Sequence, residues 1–367
     1  MSGTIGNVPP ATAARAMAER HEAFFLQLPK IELHCHLLGT VRHKTFEDLV
    51  RKHRARLSCD EVQEFYRRDA QPKGVLHVLR KLESLVLREP DDFRRITYEY
   101  LEDAARENVR HAEFFWNPTA TLRDVGLAYA DVQAAIVRGM RDAHTDFSIS
   151  SLLIPAIDRE AEVAEANEMV DLVIVNREAG VAGIGIDYRE TDRPPELFRD
   201  AFRMAKAAGL RLTAHAGEFG TSWQNVATVV DGLQVDRVDH GYTVVDNPEL
   251  VKRCIDQGIV FTVVPTNSYY LRTLEPQRWA IDHPIRRMVE LGLQVHPNTD
   301  DPALHHVSPA GAWELMYSHL GIGPNGLRAM MLNGIEGSWA DEDRKRAWRL
   351  EWPGEFDVLA AKLGPGW

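Results

Sequence analysis

One unit recurs through the second half of this chain: an amphipathic helical stretch, a glycine, a short apolar run, then polar residues. It reads "NREAGVAGIGIDY" at 176–188, "AKAAGLRLTAHAGE" at 205–218, "CIDQGIVFTVVPTNS" at 254–268 and "VELGLQVHPNTDD" at 289–301. Gly180, Gly209, Gly258 and Gly292 each fall where a helix needs a left-handed closing residue. "ENVRHAEFFWNP" (107–118) repeats the unit with Asn108 in that place, and "DFSISSLLIPAI" (146–157) adds another apolar run. Strands that alternate with helices call for a parallel sheet covered by helices.

Candidate strands lie at 30–37, 109–116, 147–155, 181–187, 211–216, 236–240, 259–264 and 293–297. Eight strands with helical intervals predict an α/β fold, a (β/α)8 TIM barrel. The alternative is an open doubly wound sheet, but no glycine-rich phosphate loop follows any of these strands. A chain of 367 residues allows two domains or one large barrel with insertions, and the barrel reading makes 1–367 a single domain. The span 43–106 is too long for one crossover. Its "FEDLVRKH" and "GVLHVLRKLESLV" both have helical spacing, which predicts a helical lid inserted after strand one, over the C-terminal mouth. The alanine-rich first 25 residues read as a peripheral helix, and the polar, Trp-containing last 25 receive no function.

Composition narrows the partners. The net charge is −11, from 43 basic and 54 acidic residues, which disfavours nucleic acid and anionic membranes. Cys35, Cys59 and Cys254 are scattered and form no CxxC, so neither a disulfide framework nor a cysteine-rich zinc site is expected. No run approaches the ~20 apolar residues that span a bilayer, and no signal-peptide pattern opens the chain. A cytoplasmic protein with a small-molecule partner is the expectation.

Four polar clusters close predicted strands, where a barrel collects its active site: "HCH" (34–36), "HAGE" (215–218), "DHGY" (239–242) and "NTDDP" (298–302). In an extended strand His34 and His36 point to one face and Cys35 to the other. Alone, each member has an ordinary reading. His215 or His240 would be a hydrogen-bonded core histidine, Asp300 and Asp301 a cap before Pro302, and Glu218 a solvated loop residue. Together they read as a metal site. His34, His36, His215 and Asp300 make a sensible ligand set for zinc, with one position left for water.

"ELHCHLLGT", "TAHAGE", "DHGY" and "NTDDP" also resemble, in order and separation, the motifs of the adenosine deaminase family within the amidohydrolase superfamily. The resemblance covers roughly 28–350, with "AEFFWNP" in the place of the second-strand motif. It implies one zinc per chain on His34, His36, His215 and Asp300. It further implies that His240 and Asp300 orient and deprotonate water for attack at C6 of a 6-aminopurine. Glu218 then protonates N1, ammonia leaves, and Asp301 faces N7, where only its protonated form can donate. Gly217 falls at the substrate by the same comparison.

The fourth strand ends "IGIDYRE", without the lysine that bridges two metals in binuclear relatives, so one metal is expected. The H-x-E…P-C-x-x-C pattern of the other zinc deaminase class is absent. Two positions depart from the family. Leu38 stands where an acidic residue grips a ribose hydroxyl, and Glu190 stands where a glycine meets the purine edge. These departures predict a purine pocket in which plain adenosine is a poor substrate, with Arg42 and Arg189 as candidate anion contacts. A hydrolase of another amino-heterocycle and an inactive binding relative are the competing readings.

Overall fold

The computed structural model describes residues 11–67, 74–267, 273–275, 277–364 and 367, with side chains from residue 18 onward. Eight parallel strands follow one another in sheet order: β1 (Lys30–Glu32), β2 (Val109–Trp116), β3 (Ser150–Asp158) and β4 (Gly183–Asp187), then β5 (Arg211–Ala216), β6 (Arg237–His240), β7 (Val260–Val263) and β8 (Gln294–Pro297). This is a (β/α)8 barrel.

The seam between β8 and β1 closes just beyond their ends. His36 N–H donates to Asp300 O (2.8 Å) and Asp300 N–H donates to His34 O (3.0 Å). β1 is therefore shorter than the predicted 30–37. Leu33 N–H donates to Asn298 Oδ1 (2.8 Å), and Cys35 and His36 form isolated bridges to Asp300 and Phe115. β3 starts later than predicted, because the helix Tyr129–Phe147 runs to the expected strand start and Ser148, at φ 60°, ends it. The expected left-handed closures are present: Asn108, Gly180, Gly209, Gly258 and Gly292 all have φ between 59° and 107°.

The span 43–106 divides into two parts. α1 (Ala11–Gln27) precedes β1 and packs on the outer helix Pro309–Ser318. After β1 come α2 (His43–His53), α3 (Cys59–Phe65) and α4 (Val75–Lys81), the last continuing as a π turn over Leu82–Val86. α5 (Pro90–Arg106) then packs on the helix Tyr129–Phe147 and on β2, so it is the barrel's own crossover helix and not part of the insertion. Its start is written in the sequence: Pro90 sits in the first turn, and Glu89 and Asp92 cap each other's backbone. Phe93, Ile96, Tyr100, Leu101 and Ala104 form one buried stripe at helical spacing. Truncating Leu101 to Ala would cost about 2–5 kcal/mol.

Inside the barrel, Glu113 of β2 pairs with Arg237 of β6, both fully buried. These strands lie opposite one another, so the pair crosses the interior. Arg237 also donates to Leu33 O and Gly337 O, which partly offsets the loss of water around the pair. Among the described residues no helix is long and apolar enough to cross a membrane.

Candidate active site

The strand ends bring the predicted residues together. His34 and His36 follow β1, His215 lies on β5, His240 ends β6, and Asp300 and Asp301 follow β8. His240 and Asp300 both have φ 64°, a left-handed backbone that costs a non-glycine residue about 1–2 kcal/mol and swings each side chain off its strand. Gly39 leaves room for Asp301, since a Cβ there would lie 1.9 Å from Asp301 Oδ1.

Each of three imidazoles turns its Nδ1 toward an oxygen. His34 Nδ1 is 3.0 Å from Thr262 O, His36 Nδ1 3.2 Å from Asp187 Oδ2, and His215 Nδ1 3.2 Å from Asp239 Oδ2. The Thr262 carbonyl fixes the proton of His34 on Nδ1, and the charges of Asp187 and Asp239 favour the same tautomer in His36 and His215, which leaves each Nε2 as a lone pair. The lone pairs converge: His36 Nε2 is 3.1 Å from His215 Nε2 and 3.2 Å from Asp300 Oδ1, while His34 Nε2 is 3.7 Å from the same oxygen. His34 Nε2 is buried without a hydrogen-bond partner. Bonds of about 2.0–2.1 Å to a tetrahedral zinc put neighbouring ligand atoms about 3.3 Å apart. The four residues fit that ion.

His240 stands beside this set. The Tyr242 hydroxyl donates to Val264 O (2.9 Å) and so accepts the Nδ1 proton of His240 at 3.2 Å. His240 Nε2 is left as a buried, unpartnered base, 3.6 Å from Glu218 Oε1. Burial, reinforced by His34 and His215, holds the His240 pKa well below its ordinary value. Burial, then the charge of Asp300, raises the Glu218 carboxyl well above the usual carboxylate range, and the same two causes raise Asp301. For Asp300 burial acts upward, but the close approach of His36 and the charge of His34 hold it well below that range. Two carboxyls that tend to keep a proton thus flank one that loses it. Asn267 links them, its Nδ2 donating to Glu218 Oε1 (3.1 Å) and Asp300 Oδ2 (3.2 Å).

A cavity of about 40 Å³ lies over these groups, roofed by Val75, Leu76 and Leu79 of α4, with Phe219 beside them. α4 therefore touches the site directly.

Several expected residues stand elsewhere. Leu38 is buried in the apolar core and does not line the cavity. The Glu190 side chain neither reaches solvent nor faces the cavity. It accepts the N–H groups of Gly217 (2.9 Å) and Glu218 (3.2 Å), so the Gly217 N–H is spent within the protein. Arg42 pairs with Glu102 and Asp103 on α5, and Arg189 with Glu160, so neither points to the cavity. Sequence reasoning gave no role to Asp187, Asp239, Asn267 or Tyr242. The motifs "IGIDY", "DHGY" and "PTNS" contain all four, and a polar residue closing an apolar strand is the signal they share.

A family model described as adenosine deaminase matches residues 29–351. The chain belongs to the adenosine deaminase family. A curated relative, an adenine deaminase from Ralstonia nicotianae, is 33% identical over 344 residues, covering 91% of this chain and 95% of the relative. A crystal structure of a cog1816 amidohydrolase from Burkhoderia ambifaria, with bound Zn, is 60% identical with TM-score 0.92 and covers 99% and 97% of the two chains. The adenine deaminase from Arthrobacter aurescens is 29% identical with TM-score 0.82, covering 90% of this chain and 99% of that one. Membership in the adenosine deaminase family makes this protein a hydrolytic deaminase of cyclic amidines.

Proposed function

We propose that this enzyme is a zinc-dependent deaminase of a free 6-aminopurine base, with adenine the simplest such substrate. The carrying observation is the wall of the cavity. Its chemistry-bearing side holds Glu218, Asp300, Asp301 and the histidines, while the facing side is apolar: Val75, Leu76, Leu79 and Phe219. Among the described residues, no unengaged cation or acidic side chain faces the cavity from α4 to hold a phosphate or a ribose hydroxyl. The adenine deaminases among its relatives support this reading.

His34, His36, His215 and Asp300 would hold the zinc. When bound, zinc acidifies water and supplies a nucleophile near neutral pH. The chain's own groups do the rest. His240 Nε2, whose proton sits on Nδ1 against Tyr242, takes the proton of the attacking water. Glu218, kept protonated by burial and Asp300, donates to N1 as C6 becomes tetrahedral. Asp301, protonated for the same reasons, donates to N7. Asn267 holds Glu218 and Asp300 in register. The C6 amino group takes the proton held by His240 and leaves as ammonia, while the proton of the new C6 hydroxyl returns to Glu218.

A cavity of about 40 Å³ holds only a few waters, less than a purine needs. α4 must therefore lift to admit substrate, which makes the insertion a lid. Ammonia release across adenine, adenosine, adenine nucleotides and N6- or C2-substituted purines tests the assignment. We expect adenine to lead adenosine in kcat/KM by at least about 10²-fold, since a buried site without a partner for the ribose hydroxyls rejects them. Adenosine ahead of adenine, at an ordinary enzymatic kcat/KM of about 10⁴ M⁻¹s⁻¹ or more, would overturn it.

A further inference from the structure

The segment from His215 to Glu218 carries a metal-site imidazole and the proton donor three residues apart, and it must turn sharply between them. Gly217 makes the turn at φ 67°, where a Cβ would come within 2.5 Å of Thr243 Oγ1. Two buried, oppositely charged side chains grip the two ends of this turn. Arg159, at the end of β3 and 0% exposed, donates through Nη2 to His215 O (2.6 Å) and through Nε to Asp187 O (3.1 Å). Glu190, 1% exposed, takes the N–H groups of Gly217 and Glu218 and the Nδ2–H of Asn225 (2.8 Å). The left-handed Tyr188, φ 65°, turns the chain after β4 toward this position.

A buried carboxylate is costly unless hydrogen-bonded. Here three N–H donors converge on one carboxylate, and the charge of Arg159 lies close by. The donors include the two successive backbone amides that lead into Glu218. A neutral amide in the same place would carry an acceptor on one arm only, so one of the two backbone N–H groups would face another donor.

We propose that Glu190 is a positioning residue for Glu218: its carboxylate fixes the Gly217–Glu218 backbone, and so the reach of the proton donor from His215. The inference rests on Glu218 being the proton donor. Glu190 touches neither cavity nor metal site, and its whole effect passes through the backbone it holds.

A double-mutant cycle on the zinc-loaded enzyme, run with the fastest purine of the substrate panel, tests this. Glu190→Gln is expected to lower kcat by about 10- to 100-fold, the scale of a misplaced catalytic group, with zinc content retained and KM within about threefold. In the Glu218→Gln background the same change should alter kcat by less than about twofold, since there is no donor left to misplace. An equal fall in both backgrounds, or no fall in the first, would overturn the proposal. Normal turnover by Glu218→Gln alone is a different result, and it would overturn the reading beneath it. Should Glu190→Gln not fold, Asn225→Ala at a half-buried position removes one of the three donors and carries the same cycle. Its loss of activity must likewise vanish without Glu218.

Discussion

Asp239 faces His215 directly across the ladder between β5 and β6, and its Oδ2 lies 3.2 Å from His215 Nδ1. Two threonine hydroxyls, Thr213 (2.8 Å) and Thr262 (2.7 Å), also donate to this carboxylate. Burial pushes its pKa up, yet the hydrogen bond and charge of His215 hold it well below the ordinary range. Asp239 thus sets which His215 nitrogen is free for a metal. Asp239→Asn should weaken zinc binding by about 10- to 100-fold. Competition against a fluorescent chelator measures this, and wild-type affinity in the variant would remove Asp239 from the role.

Metal content is the next expectation. The protein should carry about one zinc per chain, because among the described residues one set of four clustered candidate ligands fits the ion. Elemental analysis reads it directly. His215→Ala should lose both metal and turnover, and two tightly held ions per chain would contradict the single site.

Proton transfer gives the third. Glu218→Gln keeps the shape of the side chain and its contact with Asn267, but not a transferable proton. It should retain zinc and lower kcat by at least about 10²-fold. Steady-state kinetics alongside metal analysis separates this from unfolding. His240→Ala should behave similarly, because His240 stands outside the four-ligand set.

The turn after α4 supplies a pH-dependent prediction. Glu83, in the π turn after α4, accepts the Tyr188 hydroxyl (3.0 Å) and pairs with Arg80, whose guanidinium lies 3.8 Å over the Tyr188 ring. Burial pushes the Glu83 carboxyl up to about 8, with Arg80 opposing. The folded state therefore binds a proton that the unfolded chain releases between about 4.5 and 8. The stabilisation from that proton is full below the unfolded value and fades as pH rises through the folded one. Glu83→Gln is neutral throughout. Its Tm relative to wild type should climb between about pH 5 and pH 8.5, and parallel Tm–pH curves would show that Glu83 stays charged in the fold.

The barrel was legible because each unit carries its own punctuation. Gly258 and Gly292 end helices at positive φ, and apolar runs follow them at once. The candidate ligands stand out in the sequence because His34, His215 and Asp300 close such runs. What escaped depends on contacts across the barrel. Nothing local in "IDYRE" says whether Glu190 faces solvent, substrate or the amides of a neighbouring loop. Its partners lie 27 and 28 residues on. The role of Asp239 needs the β5–β6 register, and that of Asn267 needs two strand ends at once. The span 43–106 reads as one helical stretch because α5 has the same helical spacing as α2 and α4, and only packing on β2 makes it a barrel helix.

The β8–β1 seam has a consequence for how the chain is made. The backbone hydrogen bonds that close it belong to His34, His36 and Asp300, so the residues whose side chains would grip the ion also fasten the first strand to the last through their main chain. On a growing polypeptide His34 and His36 emerge early and Asp300 only after most of the sequence has been synthesised. No complete coordination site exists on a partial chain. Loop closure over so many residues is slow and entropically costly, and an ion held by these side chains would fasten the two ends of the chain a second time.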